Sequence, residues 1–150
     1  MNKVNIVYYS FTGNTLRMVK AFEKGLQEAG VPFKSYSVVE LKNDDEAFDC
    51  EILALASPAN QTEAIEKEYF QPFMKRNAER FKDKKVYLFG TFGWGTGMYM
   101  GHWIKEVEEL AKLPSREQLL SMLLNSMLGP IRKLAYATVA IADKKEGSAE

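Results

Sequence analysis

Apolar residues along the chain follow two alternating patterns. Val4-Asn5-Ile6-Val7-Tyr8-Tyr9 is a nearly continuous apolar run of strand length. After the turn Ser10-Phe11-Thr12-Gly13-Asn14-Thr15, the segment Leu16-Arg17-Met18-Val19-Lys20-Ala21-Phe22 has apolar positions at helical spacing. The spacing predicts a strand, a turn, and a helix that ends near Ala29-Gly30. Pro32 to Val39 alternates loosely and predicts a second strand, and Asn43-Asp44-Asp45-Glu46 predicts a polar loop leading into a short turn of helix. Ile52-Leu53-Ala54-Leu55-Ala56 is apolar throughout, as a strand buried on both faces requires, and it stops at Ser57-Pro58. A long amphipathic helix is expected from about Ile65 to Lys82, with Tyr69, Phe70 and Phe73 turned inward. Val86-Tyr87-Leu88-Phe89 reads as a fourth strand, followed by the glycine-rich loop that begins at Gly90, and Met98 to Leu110 reads as a fourth helix.

Strands that alternate with helices imply an α/β fold with a parallel, doubly wound sheet. Ligands of such sheets sit at the carboxyl ends of the strands. Three loops leave strand ends there with unusual chemistry: Ser10 to Thr15, Ser57 to Glu63, and Thr91 to Gly97.

Composition narrows the function classes. The chain has 150 residues, enough for one domain with a sizeable core, and its 20 Lys and Arg balance its 20 Asp and Glu. A zero net charge with scattered basic residues gives no footprint for nucleic acid. With one cysteine, Cys50, and one histidine, His102, neither an internal disulfide nor a conventional zinc site is expected. Cys50 is expected to be a buried structural thiol, and His102 a surface or half-buried residue of the fourth helix without a catalytic role. Neither a leader nor an apolar run of bilayer length is visible, so the expected setting is cytoplasmic and free of the membrane.

The first loop lies at a helix N-terminus, where unpaired N–H groups and the positive end of the helix dipole favour an anion, and the hydroxyls of Ser10, Thr12 and Thr15 can add donors. It lacks the lysine of a nucleoside-triphosphate loop and the three spaced glycines of a dinucleotide loop. A single terminal phosphate held by neutral donors fits better; an ordinary hydroxyl-capped helix start is the alternative. In the third loop, Gly93 and Gly95 flank Trp94, with Phe92 before them, which lets the backbone swing the indole outward. The alternative is that Trp94 packs on the fourth helix. A phosphate loop beside an aromatic loop calls for a planar phosphorylated ligand, the shape of flavin mononucleotide (FMN).

On these two motifs the chain resembles the short-chain flavodoxins over about residues 3 to 112. Ser10, Phe11, Thr12, Gly13, Asn14 and Thr15 look like the family's FMN phosphate loop. Thr91, Phe92, Gly93, Trp94, Gly95 and Gly97 look like the loop whose aromatic residue stacks on the flavin ring. Ser57, Pro58, Ala59, Asn60, Gln61, Thr62 and Glu63 occupy the place of the other flavin-contacting loop. The resemblance implies strand order 2-1-3-4 and FMN as cofactor. It also implies one-electron transfer between redox partner proteins, a carrier's role and no substrate conversion. Asn60-Gln61 stands where the family carries Met-Gly. Gln61 lacks the backbone freedom glycine gives to the peptide that contacts the half-reduced flavin, while Glu63 keeps the position facing the pyrimidine edge.

Residues 113 to 150 depart from that pattern. Leu119-Leu120, Met122-Leu123-Leu124 and Met127-Leu128 recur at helical spacing, and Gly129-Pro130 ends the helix they predict. The family's fifth strand is thus expected to be replaced by helical residues in an atypical tail of a single domain, disordered from Lys144. Leu119 to Leu128 is expected either to cover the fourth strand or to mediate self-association. Permitted codons for residues 117 to 135, read one nucleotide earlier, allow a strand, a polar turn and a helix start. A shifted frame therefore competes with a natural variant whose C-terminus is helical. Two other functions stand beside the electron carrier: an activator of ribonucleotide reductase, against which the Gly-Trp-Gly loop argues, and a remnant that no longer holds flavin.

Overall fold

The computed structural model describes residues 3–59, 65–91, 105–106, 109 and 119–123. Strand β1 (Val4–Tyr8) is followed by helix α1 (Asn14–Glu28), β2 (Phe33–Ser37), the short helix α2 (Asp44–Phe48), β3 (Ile52–Ala56), α3 (Phe70–Arg76), a 3-10 helix (Ala78–Asp83) and β4 (Lys85–Gly90). These strands pair in parallel in the order β2-β1-β3-β4, as expected.

β3 explains the two-layered core. Its register alternates Ile52, Ala54 and Ala56 toward one face, and Leu53 and Leu55 toward the other. On the first face α1 contributes Met18, Val19, Phe22 and Leu26, and the small side chains of Ala54 and Ala56 lie in the same cluster where the rings of Phe22 and Phe89 meet at 5.2 Å. On the second face Phe48 of α2, Phe73 of α3 and Phe81 of the 3-10 helix form a three-ring cluster at 5.2 to 6.3 Å. Asn5 is a polar residue buried within this layer. Its amide donates to the carbonyls of Glu46 and Ala47, both at 3.0 Å, and of Asp49 at 3.3 Å, so β1 satisfies the end of α2. Cys50 is a buried free thiol, as expected, with its pKa pushed up by burial.

Two expectations are corrected. The long helix from Ile65 to Lys82 is instead a turn over residues 67–69, α3, and the 3-10 helix. Pro72 has no N–H to donate to residue 68, so it fits the first turn of a helix that begins at Phe70 and obstructs one that runs through. Asn77 ends α3, and its side-chain amide donates to Phe73 O at 3.0 Å and to Asp44 at 2.6 Å. Phe70 and Phe73 are buried as expected, but Tyr69 is 36% exposed and stacks on Tyr9, not inward. Of the expected fourth helix, residues 105–106 and 109 are helical; its remainder, with His102, lies outside the described residues.

The second correction concerns the tail. Leu119–Leu123 is a fifth strand, β5, parallel to β4 with Val86 opposite Leu119 and Gly90 opposite Leu123. The helical period of these leucines is overridden by the backbone of β4. Its outer N–H and C=O groups belong to a strand whose side chains are buried on both faces, and a helix cannot complete its ladder. Gly129-Pro130 and Lys144 onward lie outside the described residues.

α2 and α3 are joined by Asp44, which accepts from Arg76 Nε at 2.5 Å and Nη2 at 2.8 Å. The Arg76 hydrogen bonds hold the Asp44 carboxyl below its ordinary range; partial burial opposes them and the Asn77 amide assists. Because the folded-state pKa is depressed, this stabilisation is complete above the ordinary carboxylate range and is lost as pH falls through the lowered value. Arg76→Ala should cost about 1 kcal/mol at pH 7, a small figure because Arg76 is half exposed, and the deficit should vanish toward pH 2 in denaturant titrations. A deficit independent of pH would mean that the charge pair is not the cause. A chain ending at residue 112 should expose the outer edge of β4, melt several degrees lower and self-associate in sedimentation experiments. An unchanged, monomeric truncation would show that β5 contributes nothing.

Candidate functional site

Backbone pairing continues past the strand ends and brings the three loops to one edge. Tyr9 N donates to Ala56 O at 2.9 Å, Ser57 N to Phe89 O at 3.3 Å, and Ala59 N to Thr91 O at 2.9 Å. Ser10, Ser57 and Thr91 therefore leave neighbouring strands side by side.

The first loop ends in Gly13, which has φ +89° at the N-cap of α1. That left-handed conformation turns the chain sharply into the helix. Gly13, at the N-cap, brings no side chain to cap the helix, and the first turn carries no acidic residue. The first amides of an α-helix have no intrahelical acceptor, so these remain directed at the loop. The Leu16 amide is met by Ser10 Oγ at 3.1 Å. Since that hydroxyl accepts, its own proton is left to donate elsewhere. Thr12 and Asn14 are exposed, and Phe11 is 83% exposed. The alternative of an ordinary hydroxyl-capped helix start is thus met only in part, through the Ser10 contact with Leu16.

Thr15 is 1% exposed, and its hydroxyl lies 3.0 Å from that of Thr91, so a single hydrogen bond ties the phosphate-type loop to the start of the third loop. Such a pair uses one proton and leaves the other free to donate. Ser57 is fully buried and turns its hydroxyl to Pro58 O at 3.1 Å, which gives it a local structural bond; Pro58 and Ala59 are half-buried. Asn60, Gln61, Thr62 and Glu63, with Phe92, Gly93, Trp94, Gly95 and Gly97, lie outside the described residues.

Three further residues at this edge were not expected from the sequence. Tyr9, directly before Ser10, stacks on Tyr69 with ring centres 6.1 Å apart, and burial together with the nearby Glu66 and Glu68 raises its pKa. Glu66 is 4% exposed and accepts from the amides of Glu68, Tyr69 and Phe70 at 2.6, 2.9 and 2.7 Å. Glutamate four residues before a helix start is not one of the favoured N-cap residues, so no local rule announces this contact. Glu106 accepts from Ile65 N at 3.0 Å and Gln71 Nε2 at 3.1 Å, a contact 41 residues apart in sequence that no local pattern announces. Among the described residues, no group of His, Cys, Asp and Glu is arranged to hold a metal ion, and no helix is long and apolar enough to cross a membrane.

The flavodoxin family model matches residues 6–124. The flavodoxin of Clostridium beijerinckii is 37% identical over 106 residues, 71% of this chain and 73% of that protein. The solution structure of two-electron reduced Megasphaera elsdenii flavodoxin aligns with a TM-score of 0.65 at 30% identity, covering 86% of this chain and 97% of that one. A Fusobacterium nucleatum flavodoxin mutant solved with flavin mononucleotide bound aligns at 0.52 and 20% identity, covering 75% and 64%, a likeness of fold alone. The tail matches something else. The model for the C-terminal region of ribosomal protein uL10 covers residues 113–149. The large ribosomal subunit protein uL10 of Fusobacterium nucleatum subsp. nucleatum is 98% identical over 47 residues, 31% of this chain, which spans only 28% of that protein. The tail therefore matches a protein in the frame in which it stands, and the expectation of a shifted frame is overturned.

The tie between the loops generates a direct test. Thr15→Val and Thr91→Val should each destabilise the protein, and the double variant should cost less than their sum by about 1 kcal/mol. Strict additivity in urea unfolding would show that the two hydroxyls do not interact.

Proposed function

The chain belongs to the flavodoxin family, and from that premise we propose that it holds FMN at the carboxyl edge of its sheet and carries electrons singly between redox partner proteins. The observation that carries this reading is the N-terminus of α1, where Ser10 Oγ meets the Leu16 amide, no acidic side chain stands in the first turn, and Thr15 ties the helix to Thr91 of the loop beside it. Donors of this kind suit a phosphate monoester. The residues present fit the cofactor: amides and hydroxyls from Ser10 to Thr15 for the phosphate, and the loops Ser57 to Glu63 and Thr91 to Gly97, with Trp94, for the ring.

FMN, when bound, supplies the redox chemistry. The protein's own part is positional. Gly13 directs the α1 amides into the loop, Ser10 keeps a proton available by accepting from Leu16, and the hydroxyl pair retains one donor. The donors of this loop are neutral amides and hydroxyls, so they would hold the phosphate without placing a cation beside it. No acid or base is required of the side chains for transfer of an electron. Partners are expected to dock around this edge. The formal net charge of zero gives little long-range steering, so their association should depend only weakly on salt.

Titration of FMN with the purified apoprotein, followed by flavin fluorescence, tests the reading. Strong quenching near one protein per flavin is expected. Unquenched flavin in the presence of protein with an intact far-ultraviolet circular dichroism spectrum would instead favour a fold that has lost its cofactor.

A further inference from the structure

Ile65 is the first described residue after the expected flavin loop, two positions beyond Glu63, and it is held from both sides. Its side chain is 1% exposed within the second core layer, and its amide donates to Glu106 Oε2 at 3.0 Å. The other carboxylate oxygen of Glu106 accepts from Gln71 Nε2 at 3.1 Å, so the carboxylate is oriented by α3. The next residue, Glu66, is fixed in turn by the three amides at the start of α3. A carboxylate that accepts a backbone N–H in a half-buried setting makes one of the stronger hydrogen bonds available to a protein. Glu106 belongs to the helical residues that follow the Thr91 to Gly97 loop in sequence, whereas Ile65 follows the Ser57 to Glu63 loop. One side chain therefore joins the chain segments downstream of both loops.

We infer that Glu106 is a positioning residue: it fixes the backbone at Ile65 and thereby the hold of the Ser57 to Glu63 loop on the flavin. The inference rests on the FMN reading above. Gln71 and Glu66 support it by orienting the carboxylate and anchoring the start of α3. Glu106 itself neither touches the cofactor nor moves a proton.

Two readouts test the inference on the full chain. In the apoprotein, Glu106→Ala should accelerate amide hydrogen exchange at Ile65 by about tenfold, corresponding to about 1.4 kcal/mol. Glu106→Gln, with one acceptor oxygen left for two donors, should fall between wild type and Ala and remains informative if the alanine variant folds poorly. Glu109→Ala, at an exposed helical residue three positions further along the chain, should leave Ile65 unmoved. In the FMN-loaded protein, Glu106→Ala should weaken FMN binding several-fold and shift the separation between the two one-electron potentials, whereas Glu109→Ala should change neither. A merely structural role would lower the melting temperature and leave that separation alone, which overturns the inference, as does an Ile65 amide that exchanges at the wild-type rate. Wild-type protein that leaves flavin unquenched overturns the FMN reading and the flavin-positioning role together. Quenching by wild type with an unmoved Ile65 amide in Glu106→Ala overturns the role of Glu106 alone.

Discussion

β3 has backbone partners on both edges and apolar neighbours on both faces, and its position determines where everything else in the molecule can lie. All five of its residues are buried, and they pair with Val4–Tyr8 on one side and with Lys85 to Phe89 on the other. A strand in this position must be apolar at every residue and must run parallel to its neighbours, because helices cover both of its faces. Parallel pairing sends every strand's carboxyl end to the same edge. The loop chemistry of Ser10 to Thr15, Ser57 and Thr91 is gathered there as a consequence of the sheet, and the backbone bonds of Tyr9, Ser57 and Ala59 extend the pairing into the loops themselves.

That edge combines donors left open with donors already used. At Gly13 a left-handed residue makes the turn, and the open space around its Cβ position means that the backbone angle alone demands glycine there. Ser10 and Thr15 each use part of their hydrogen-bonding capacity inside the protein, on Leu16 and Thr91, before any ligand is considered. An anion would therefore meet groups whose orientation is already fixed, which lowers the ordering cost of binding. Farther along the same edge, Glu66 and Glu106 use their carboxylates to fix backbone amides, so acidic side chains near the site serve chain geometry.

The sequence disclosed this architecture where pattern and burial agree. The apolar run Ile52 to Ala56 could only be a strand covered on both faces, and Leu16 to Phe22 could only be a helix with one buried side; both are found. A short turn of helix was expected after the polar residues 43 to 46, but it already begins at Asp44, because the Asn43 side chain caps it by accepting from Asp45 N. What failed was extent and long-range pairing. The helix expected from Ile65 was too long because apolar spacing continues through Tyr69 while Pro72 and the Glu66 cap set the start at Phe70. Tyr69 was misplaced with it, since its partner Tyr9 comes from the end of another strand. The hydroxyl pair of Thr15 and Thr91 and the bond from Ile65 to Glu106 join residues 76 and 41 positions apart, beyond any local period.

The segment Leu119 to Leu123 carries the sharpest conflict between local and global preference. Leu119, Met122 and Leu123 fall on one side of a helix, yet the same five residues also satisfy a strand, because a short run of Leu-Leu-Ser-Met-Leu carries no charge or breaker at any register position. These residues lie in the overlap between a flavodoxin match ending at 124 and a ribosomal match beginning at 113. Sequence similarity thus assigns them twice, and local periodicity favours a helix. The deciding contribution is nonlocal: between Val86 and Gly90 the backbone groups of β4 that do not face β3 form a ladder edge, and an extended chain completes it where a helix cannot. An apolar segment without charge or proline is the kind that such an edge captures, whatever protein its sequence otherwise resembles. The sheet therefore requires little of its fifth strand beyond length and the absence of breakers. A tail related to a ribosomal protein can meet that requirement without bearing any of the loop chemistry at the opposite ends of β1 and α1.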